Sequence, residues 1–388
     1  MKYSFDELTD RHGTGSLKWD VKENELPMWV ADMDFKTAPE ISEAIQKKAA
    51  QCIYGYSDIT DEWYDAYINW WKNRHHLDMK REELIFASGV VPILSSAVRK
   101  LTTPAEKVLI QTPVYNIFFN SIINNGRYVL ENKLKYENGN YTIDWADLEK
   151  KLADPQTTLM ILCNPHNPAG NLWDKETLAK IGELCFNNGV TVISDEIHCD
   201  IIDPGYEYVP FASVSDICRN ISITCIAPTK TFNLAGLQSA AAYVPNKFLR
   251  HKIWRGLNTD EVGEPNFFSV TAAVAAFTKG SEWLDELREY IFINKKTVTE
   301  YISKNIPEIK VVQSKATYLM WLDCSSLTDN SEEFAKFIRS YSGLYVSAGA
   351  IFGGNGNKFL RLNTACPIAR IMDGLDRLKK SVDAYKTR

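Results

Sequence analysis

Lys230 is the residue whose type and setting offer the most chemistry in this sequence. It follows the apolar segment 221–226 and stands among small and apolar residues, in APTKTFNLAGL at 227–237. A lysine placed after a buried strand loses solvation, so the pKa of its ammonium group falls and the free amine becomes available as a nucleophile. An ordinary surface lysine would explain Lys230 alone, but not the three further motifs described below.

Asp195 ends a second apolar segment, 190–194, and His198, Cys199 and Asp200 follow it closely. A carboxylate at the end of a buried strand can meet a cationic ring nitrogen, although it can also cap the next segment. His198, Cys199 and Asp200 could bind a metal, but adjacent residues point in different directions and no partner pair stands at a recognised spacing. We therefore expect no metal site.

The segment NPHNPAG at 164–170 follows the apolar run 158–163. Two X-Pro bonds within four residues make a rigid loop that can hold the Asn167 amide in one orientation, and either bond can be cis. Asn, Pro and Gly also form ordinary turns, but two Asn-Pro pairs around one histidine exceed what a turn needs.

Gly89, in SGVVP at 88–92, stands between the short apolar segment 84–87 and a helical pattern. A glycine at a helix entrance lets backbone N–H groups reach an anion, which the helix dipole also favours. A tight strand-to-helix turn is the alternative, because such turns are common in α/β folds.

All four motifs follow apolar segments in a region where strand-like and helical patterns alternate. Continuous apolar runs are typical of parallel strands buried on both faces. The predicted strands are 84–87, 107–111, 127–132, 158–163, 190–194 and 221–226, and the helices between them are 90–101, 115–124, 144–152 and 174–187. Ligands of open α/β sheets bind at the carboxyl ends of the strands, so we expect the motifs to meet there.

The pattern changes after residue 283, where one long helix over 283–305 precedes short strands and a final helix over 368–385. The sequence therefore predicts two domains of different character. The predicted domains are a large α/β domain over 50–283 and a smaller α+β domain built from both chain ends, 1–49 and 284–388.

Composition excludes several classes of protein. The 388 residues are 45% hydrophobic, enough for a large core, and the net charge of -5 without a basic block argues against nucleic-acid or membrane-surface partners. No apolar stretch approaches the ~20 residues that span a bilayer, and the polar N-terminus lacks signal-peptide features. The eight dispersed cysteines contain no C-x-x-C pair, which favours a reduced, cytoplasmic setting.

Taken in order, the four motifs resemble those of the fold-type I pyridoxal-phosphate enzymes of the class I/II aminotransferase group, over nearly the whole chain. The shared pattern is a Gly-containing phosphate turn, N-P-x-N-P-x-G, an Asp that ends a strand, and a Lys followed by Asn and Ala-Gly. The resemblance implies an α/β fold with a mostly parallel central sheet wrapped by helices. It also implies pyridoxal 5'-phosphate as the cofactor.

The resemblance implies a role for each matched residue. Lys230 would carry the cofactor as a Schiff base and shuttle the Cα proton, while Asp195 would keep the ring nitrogen protonated. Asn167 would bind the ring hydroxyl and Tyr115 would stack on the ring, whereas backbone N–H groups and the Thr229 hydroxyl would bind the phosphate. The cofactor-binding residues so implied are Lys230, Gly89, Val90, Val91, Tyr115, Asn167, Asp195, His198, Thr229 and Tyr56.

Two further matches concern the substrate and a second subunit. Arg361, in FLRLN at 359–363, matches the arginine that clamps the substrate α-carboxylate, a bidentate task that suits guanidinium. Tyr56, in YGYS at 54–57, resembles the tyrosine that reaches the phosphate across a dimer interface. The resemblance therefore implies a homodimer with shared active sites.

Three features of the sequence differ from those of a general transaminase and indicate one branch of this enzyme group. Gln238 stands where many aminotransferases carry an arginine eight residues after the lysine, and His198 stands where a tyrosine is frequent. LPMWVADMDF at 26–35, which supplies the predicted substrate contacts Val30 and Ala31, resembles the cystathionine β-lyase (carbon–sulfur lyase) branch. That branch implies β-elimination from cystathionine or a related cysteine S-conjugate, which yields a thiol, pyruvate and ammonia.

An aminotransferase is the main alternative, because it would share every cofactor residue. A second anion site for a dicarboxylate substrate would distinguish it, and the sequence nominates no residue for such a site. A regulatory protein that uses the same fold is a minor alternative. A nicotinamide-binding oxidoreductase is disfavoured, because GGNG at 353–356 does not follow a strand and open a helix.

Overall fold

The computed structural model describes residues 2–388, so residue 1 of the predicted small domain lies outside the described part. The helices are α1 Pro39–Ala49, α2 Asp61–His75, α3 Val90–Leu101, α4 Ile117–Ile123, α5 Trp145–Leu152, α6 Lys175–Asn187, α7 Asp216–Ile221, α8 Lys247–Thr259, α9 Ser269–Lys279, α10 Ser281–Asn305, α11 Ser331–Ser342 and α12 Ile368–Tyr385. The strands are β1 Leu26–Pro27, β2 Leu84–Ala87, β3 Lys107–Thr112, β4 Tyr128–Lys133, β5 Lys135–Glu137, β6 Asn140–Thr142, β7 Thr157–Cys163, β8 Thr191–Asp195, β9 Ser222–Ile226, β10 Ala240–Tyr243, β11 Lys310–Val311, β12 Leu319–Asp323, β13 Leu344–Tyr345, β14 Ser347–Ala348 and β15 Phe359–Asn363.

A seven-stranded sheet in the order β2-β10-β9-β8-β7-β3-β4 forms the centre of the molecule. The pairs from β9 to β4 are parallel, whereas β10 runs antiparallel to both β9 and β2. The predicted mostly parallel sheet is therefore confirmed. The sequence did not predict β10.

Helices cover both faces of this sheet, and strand β7 shows why its sequence is apolar throughout. Leu159 and Ile161 pack on one face with α3, α4 and α8, while Met160 and Leu162 pack on the other with α5 and α6. Successive side chains of a strand point to opposite faces, so a strand covered on both sides needs apolar residues at every position.

A second, four-stranded antiparallel sheet in the order β11-β12-β15-β14 lies in the last part of the chain. Its core includes Val298 of α10 and Leu375 of α12, and the short strand β1 pairs in parallel with β13. Helix α1 instead packs against α9. The domain boundaries at 49/50 and 283/284 stay a prediction.

Among residues 2–388, no helix combines the length and the apolar composition that crossing a bilayer requires.

Candidate active site

The carboxyl ends of the parallel strands surround a cavity of about 180 Å³. Asp195 is the last residue of β8, and Lys230 follows the end of β9 by four residues. The cavity brings together ten of the residues nominated from the sequence: Ala31, Gly89, Val90, Val91, Tyr115, Asn167, Asp195, His198, Thr229 and Lys230.

Lys230 has the electrostatic setting of a nucleophilic amine. Burial lowers its pKa to about 8, and the positive charge of Arg361 adds to this, whereas the carboxylates of Asp32 and Asp195 oppose it. Its Nζ atom donates a hydrogen bond to the Ala31 carbonyl oxygen at 2.6 Å. At pH 7 roughly a tenth of the molecules therefore carries an unprotonated amine, compared with less than about a thousandth for a lysine of ordinary pKa.

Asp195 is a buried carboxyl group with little to stabilise its charge. Its side chain accepts one hydrogen bond from the described residues, from the Ile197 N–H at 3.2 Å, and burial raises its pKa to about 7. A cation placed beside such a group restores its ionisation. The protonated nitrogen of a ring is a cation of this kind.

His198 and Tyr115 both line the cavity in uncharged form. Burial, together with the positive charges of Lys230 and Arg361, lowers the pKa of His198 to about 3. Burial also raises the pKa of the Tyr115 hydroxyl. Neither side chain therefore adds charge to the site near neutral pH.

The N-terminus of α3 forms the end of the cavity that suits an anion. Gly89 precedes the helix, and no side chain caps it, so the first N–H groups are free to bind a ligand. A Cβ atom on Gly89 would lie 3.2 Å from Cδ of Pro92, which is tighter than an ordinary contact. Thr229 and Gln238 also line this cavity.

Arg361 is buried and links two parts of the site. Its Nη1 atom donates to Oδ1 of Asn167 at 3.1 Å, and its Nη2 atom donates to the Trp29 carbonyl oxygen at 2.8 Å. Nε has no hydrogen-bond partner among the described residues. Burial lowers the Arg361 pKa to about 10, so the guanidinium group is still a cation at neutral pH.

Segment 29–33 crosses the site and is held there through its backbone. Tyr318 Oη donates to the Ala31 carbonyl oxygen at 3.0 Å, and Asn363 Nδ2 donates to the Val30 carbonyl oxygen at 2.5 Å. Asn233 makes two hydrogen bonds with the Met33 backbone. The sequence reasoning did not assign roles to Tyr318, Asn233 and Asn363. Asn233 and Asn363 do lie within the motifs at 227–237 and 359–363, and this position was the only indication in the sequence that they could belong to the site.

Tyr56 does not line the cavity of its own chain. It is fully exposed and belongs to a stretch without helix or strand between α1 and α2. Its predicted contact with the phosphate stays a prediction.

Of the three nearby residues that the sequence offered as metal ligands, His198 is separated from Cys199 and Asp200. His198 lines the cavity, whereas Cys199 and Asp200 lie within 4.8 Å of a histidine from α2, His75. The Asp200 carboxylate already accepts hydrogen bonds from Trp70, His75 and Thr231. These contacts explain why Asp200 is buried without invoking a metal.

Comparisons with known proteins agree with this geometry. The family described as "Aminotransferase class I and II" matches residues 24–378. The cystathionine beta-lyase PatB of Bacillus subtilis is 43% identical over 98% of this chain and 100% of its own length. The crystal structure of cystalysin from Treponema denticola, which contains pyridoxal 5'-phosphate, has a TM-score of 0.95 at 34% identity and covers 99% of this chain and 100% of that chain. A pyridoxal-phosphate-bound C-S lyase from Staphylococcus hominis has a TM-score of 0.92 at 32% identity, with 98% of each chain covered.

Proposed function

This chain belongs to the class I and II aminotransferase family, and we propose that it is a pyridoxal-phosphate-dependent carbon–sulfur β-lyase. With the consumption of one water molecule, it cleaves cystathionine or a related cysteine S-conjugate to a thiol, pyruvate and ammonia, and the thiol is homocysteine in the case of cystathionine. The observation that carries the proposal is the convergence of Lys230 and Asp195 on one cavity, in a chain similar throughout to carbon–sulfur lyases.

The side chains of the cavity fit the cofactor at each of its functional groups. The uncapped N-terminus of α3 suits the phosphate, the poorly stabilised carboxyl of Asp195 suits a protonated ring nitrogen, and the Lys230 amine suits an aldehyde. When bound, the cofactor supplies an electrophilic carbon and a ring that withdraws electrons from the substrate Cα.

Each step of the reaction then has a residue of this chain to perform it. Arg361 binds the substrate α-carboxylate and orients the Cα–H bond, while Asp195 keeps the proton on the ring nitrogen. With the cofactor and substrate bound, Lys230 would remove the Cα proton, because its pKa of about 8 makes the free amine accessible. The same Lys230 then holds a proton that can be passed to the departing sulfur.

The charges of the cavity favour a lyase over an aminotransferase of dicarboxylates. Within residues 2–388, the one cationic side chain that lines the cavity is Lys230, and Arg361 lies next to it. An aminotransferase that alternates between an amino acid and 2-oxoglutarate must bind a second carboxylate, and a second cation is the usual means. The substrate of a β-lyase requires one α-carboxylate site.

A homodimer is the proposed assembly, with Tyr56 of each chain completing the phosphate site of the partner. The exposure of Ile53, Tyr54 and Tyr56 on one short segment supports it, because clustered large apolar side chains mark contact surfaces. A cytoplasmic setting is proposed from the cysteines, which are all free, and seven of the eight are buried.

Two incubations of the purified protein with added cofactor test the function. L-cystathionine alone is expected to give pyruvate and a thiol, whereas L-methionine with 2-oxoglutarate is expected to give little glutamate. A Lys230→Ala sample serves as the blank for non-enzymatic breakdown. Glutamate formation without any pyruvate from cystathionine would contradict the lyase assignment and favour the aminotransferase.

A further inference from the structure

A second buried carboxylate, that of Asp200, is hydrogen-bonded to the residue that follows the catalytic lysine in the sequence. The side chain of Asp200 is fully buried. Its Oδ1 atom accepts hydrogen bonds from Trp70 Nε1 at 3.0 Å and from His75 Nε2 at 2.8 Å, both on α2. Its Oδ2 atom accepts a hydrogen bond from the Thr231 hydroxyl at 2.8 Å.

This carboxylate joins the two segments that carry the chemistry. Asp195 and Asp200 are five residues apart on the segment after β8, and Thr231 directly follows Lys230 on the segment after β9. The backbone pairing of the two strands ends close to Asp195, with a hydrogen bond from the Glu196 N–H to the Cys225 carbonyl oxygen at 3.0 Å. Beyond that point, the Thr231–Asp200 hydrogen bond connects the segments.

We propose that Asp200 and Thr231 are positioning residues, which hold the Lys230 amine at a fixed place relative to Asp195. The inference rests on the proposed function, since Lys230 and Asp195 have these roles only in a cofactor-dependent enzyme. A hydrogen bond from a hydroxyl to a buried carboxylate is stronger than one between neutral groups. The two donors from α2 orient the carboxylate, so Thr231 meets an acceptor that is already in place.

The reaction requires that the backbone around Lys230 be held in this way. Lys230 must reach the aldehyde carbon in one step and the Cα proton in another, and displacements of about 1 Å can cost catalysis about 100-fold. A long side chain cannot supply this accuracy by itself, because each of its torsions has several accessible rotamers. The backbone at Lys230 and Thr231 must therefore be held.

Thr231→Val tests the inference, because it removes the hydroxyl and keeps the branched shape. We expect the cofactor still to attach to Lys230 and kcat to fall about 10-fold or more, with KM changed less because Arg361 is untouched. We also expect the absorption band of the bound cofactor to titrate at a pH shifted by about half a unit, since the charge environment of the Lys230 nitrogen changes with its position. A defect of stability alone would leave that titration unmoved.

Two matched variants control the experiment. Thr231→Ser retains the hydroxyl, so it is expected to recover most of the kcat and the titration of the wild-type protein. Thr224→Val removes another fully buried hydroxyl, on β9, which has no hydrogen-bond partner among the described residues. The Thr224→Val variant is expected to change neither kcat nor the pH at which the absorption band of the bound cofactor titrates.

The outcomes separate this inference from the proposed function. A wild-type protein that forms no cofactor adduct at Lys230 would refute the proposed function itself. If the wild-type protein forms the adduct and Thr231→Val lowers only the melting temperature, Asp200 merely braces the fold and the inference fails. It fails as well if Thr231→Ser is impaired as much as Thr231→Val, because the hydrogen bond is then not the cause.

Discussion

The Lys230 amine donates a hydrogen bond to the carbonyl oxygen of Ala31 at 2.6 Å, although 199 positions separate the two residues in the sequence. Ala31 belongs to the N-terminal segment, and Lys230 belongs to the loop that follows β9 of the central sheet. Tyr318, from the second half of the chain, donates to the same oxygen at 3.0 Å. Three distant parts of the sequence therefore determine where the amine lies.

Replacing this amine should remove cofactor attachment and turnover together. Lys230→Ala leaves no other lysine in the cavity, because Lys230 is the one lysine among the described residues that line it. Borohydride reduction of the wild-type holoenzyme followed by peptide mapping should label Lys230, and the variant should not be labelled. A label on any other lysine would show that the assignment is wrong.

Asp195→Asn should bind the cofactor but turn over far more slowly. The amide is similar in size but cannot hold a proton on the ring nitrogen, so the ring withdraws electrons less strongly. A loss of ~10³-fold in kcat corresponds to about 4 kcal/mol of transition-state stabilisation. Stopped-flow or steady-state kinetics measure it, and near-normal turnover would mean that Asp195 has another role.

In the cofactor-free protein, Asp195 should contribute a loss of stability as the pH rises from about 4 to 7. Burial raises the pKa of this carboxyl from 3.8 to about 7, so in this range the folded state binds more protons than the unfolded state. The contribution of Asp195 to the free energy of unfolding then falls with rising pH. Urea denaturation at pH 5 and pH 7 measures the change in the free energy of unfolding between the two pH values, and this change should be more favourable to the folded state at pH 7 for Asp195→Asn than for the wild-type protein. Equal changes in the two proteins would contradict a raised pKa at this residue.

Arg361→Lys should weaken substrate binding and leave the spectrum of the bound cofactor unchanged. Lysine retains the positive charge but loses the planar fork that binds a carboxylate through two parallel hydrogen bonds. We expect KM for cystathionine to rise about 10-fold or more, as loss of a charge-assisted hydrogen bond implies. If the variant loses the cofactor instead, Arg361 maintains the structure of the site through its bond to Asn167.

A mixture of two inactive subunits should recover activity if the active sites are shared. Lys230→Ala impairs the site of its own chain, whereas Tyr56→Phe impairs the site of the partner. In a heterodimer one site carries both changes and the other carries neither. Differently tagged subunits allow the heterodimer to be purified and its composition checked by mass. No recovery in a confirmed heterodimer would mean that Tyr56 serves its own chain or no site, provided that each parent homodimer is impaired.

The sequence by itself determined six of the seven strands of the catalytic sheet and the motifs at its strand ends. The predicted segments 84–87 and 90–101 coincide with β2 and α3, and the predicted helix 368–385 coincides with α12. Strands buried on both faces must be apolar throughout, and helices need an apolar stripe and a cap, so both leave a local pattern. The Asp144 side chain, for instance, caps α5 by accepting from the Asp147 N–H.

Only the tertiary structure decided the contacts that join distant segments. Strand β10 is a run of three alanines and a tyrosine, which carries no strand pattern because alanine favours helix, yet it lies between β9 and β2. Likewise, nothing local to His75 or to Asp200 indicates that they meet across 125 positions. Packing of whole elements brings such pairs together, and the free energy that selects them comes from the buried core and not from the residues on either side.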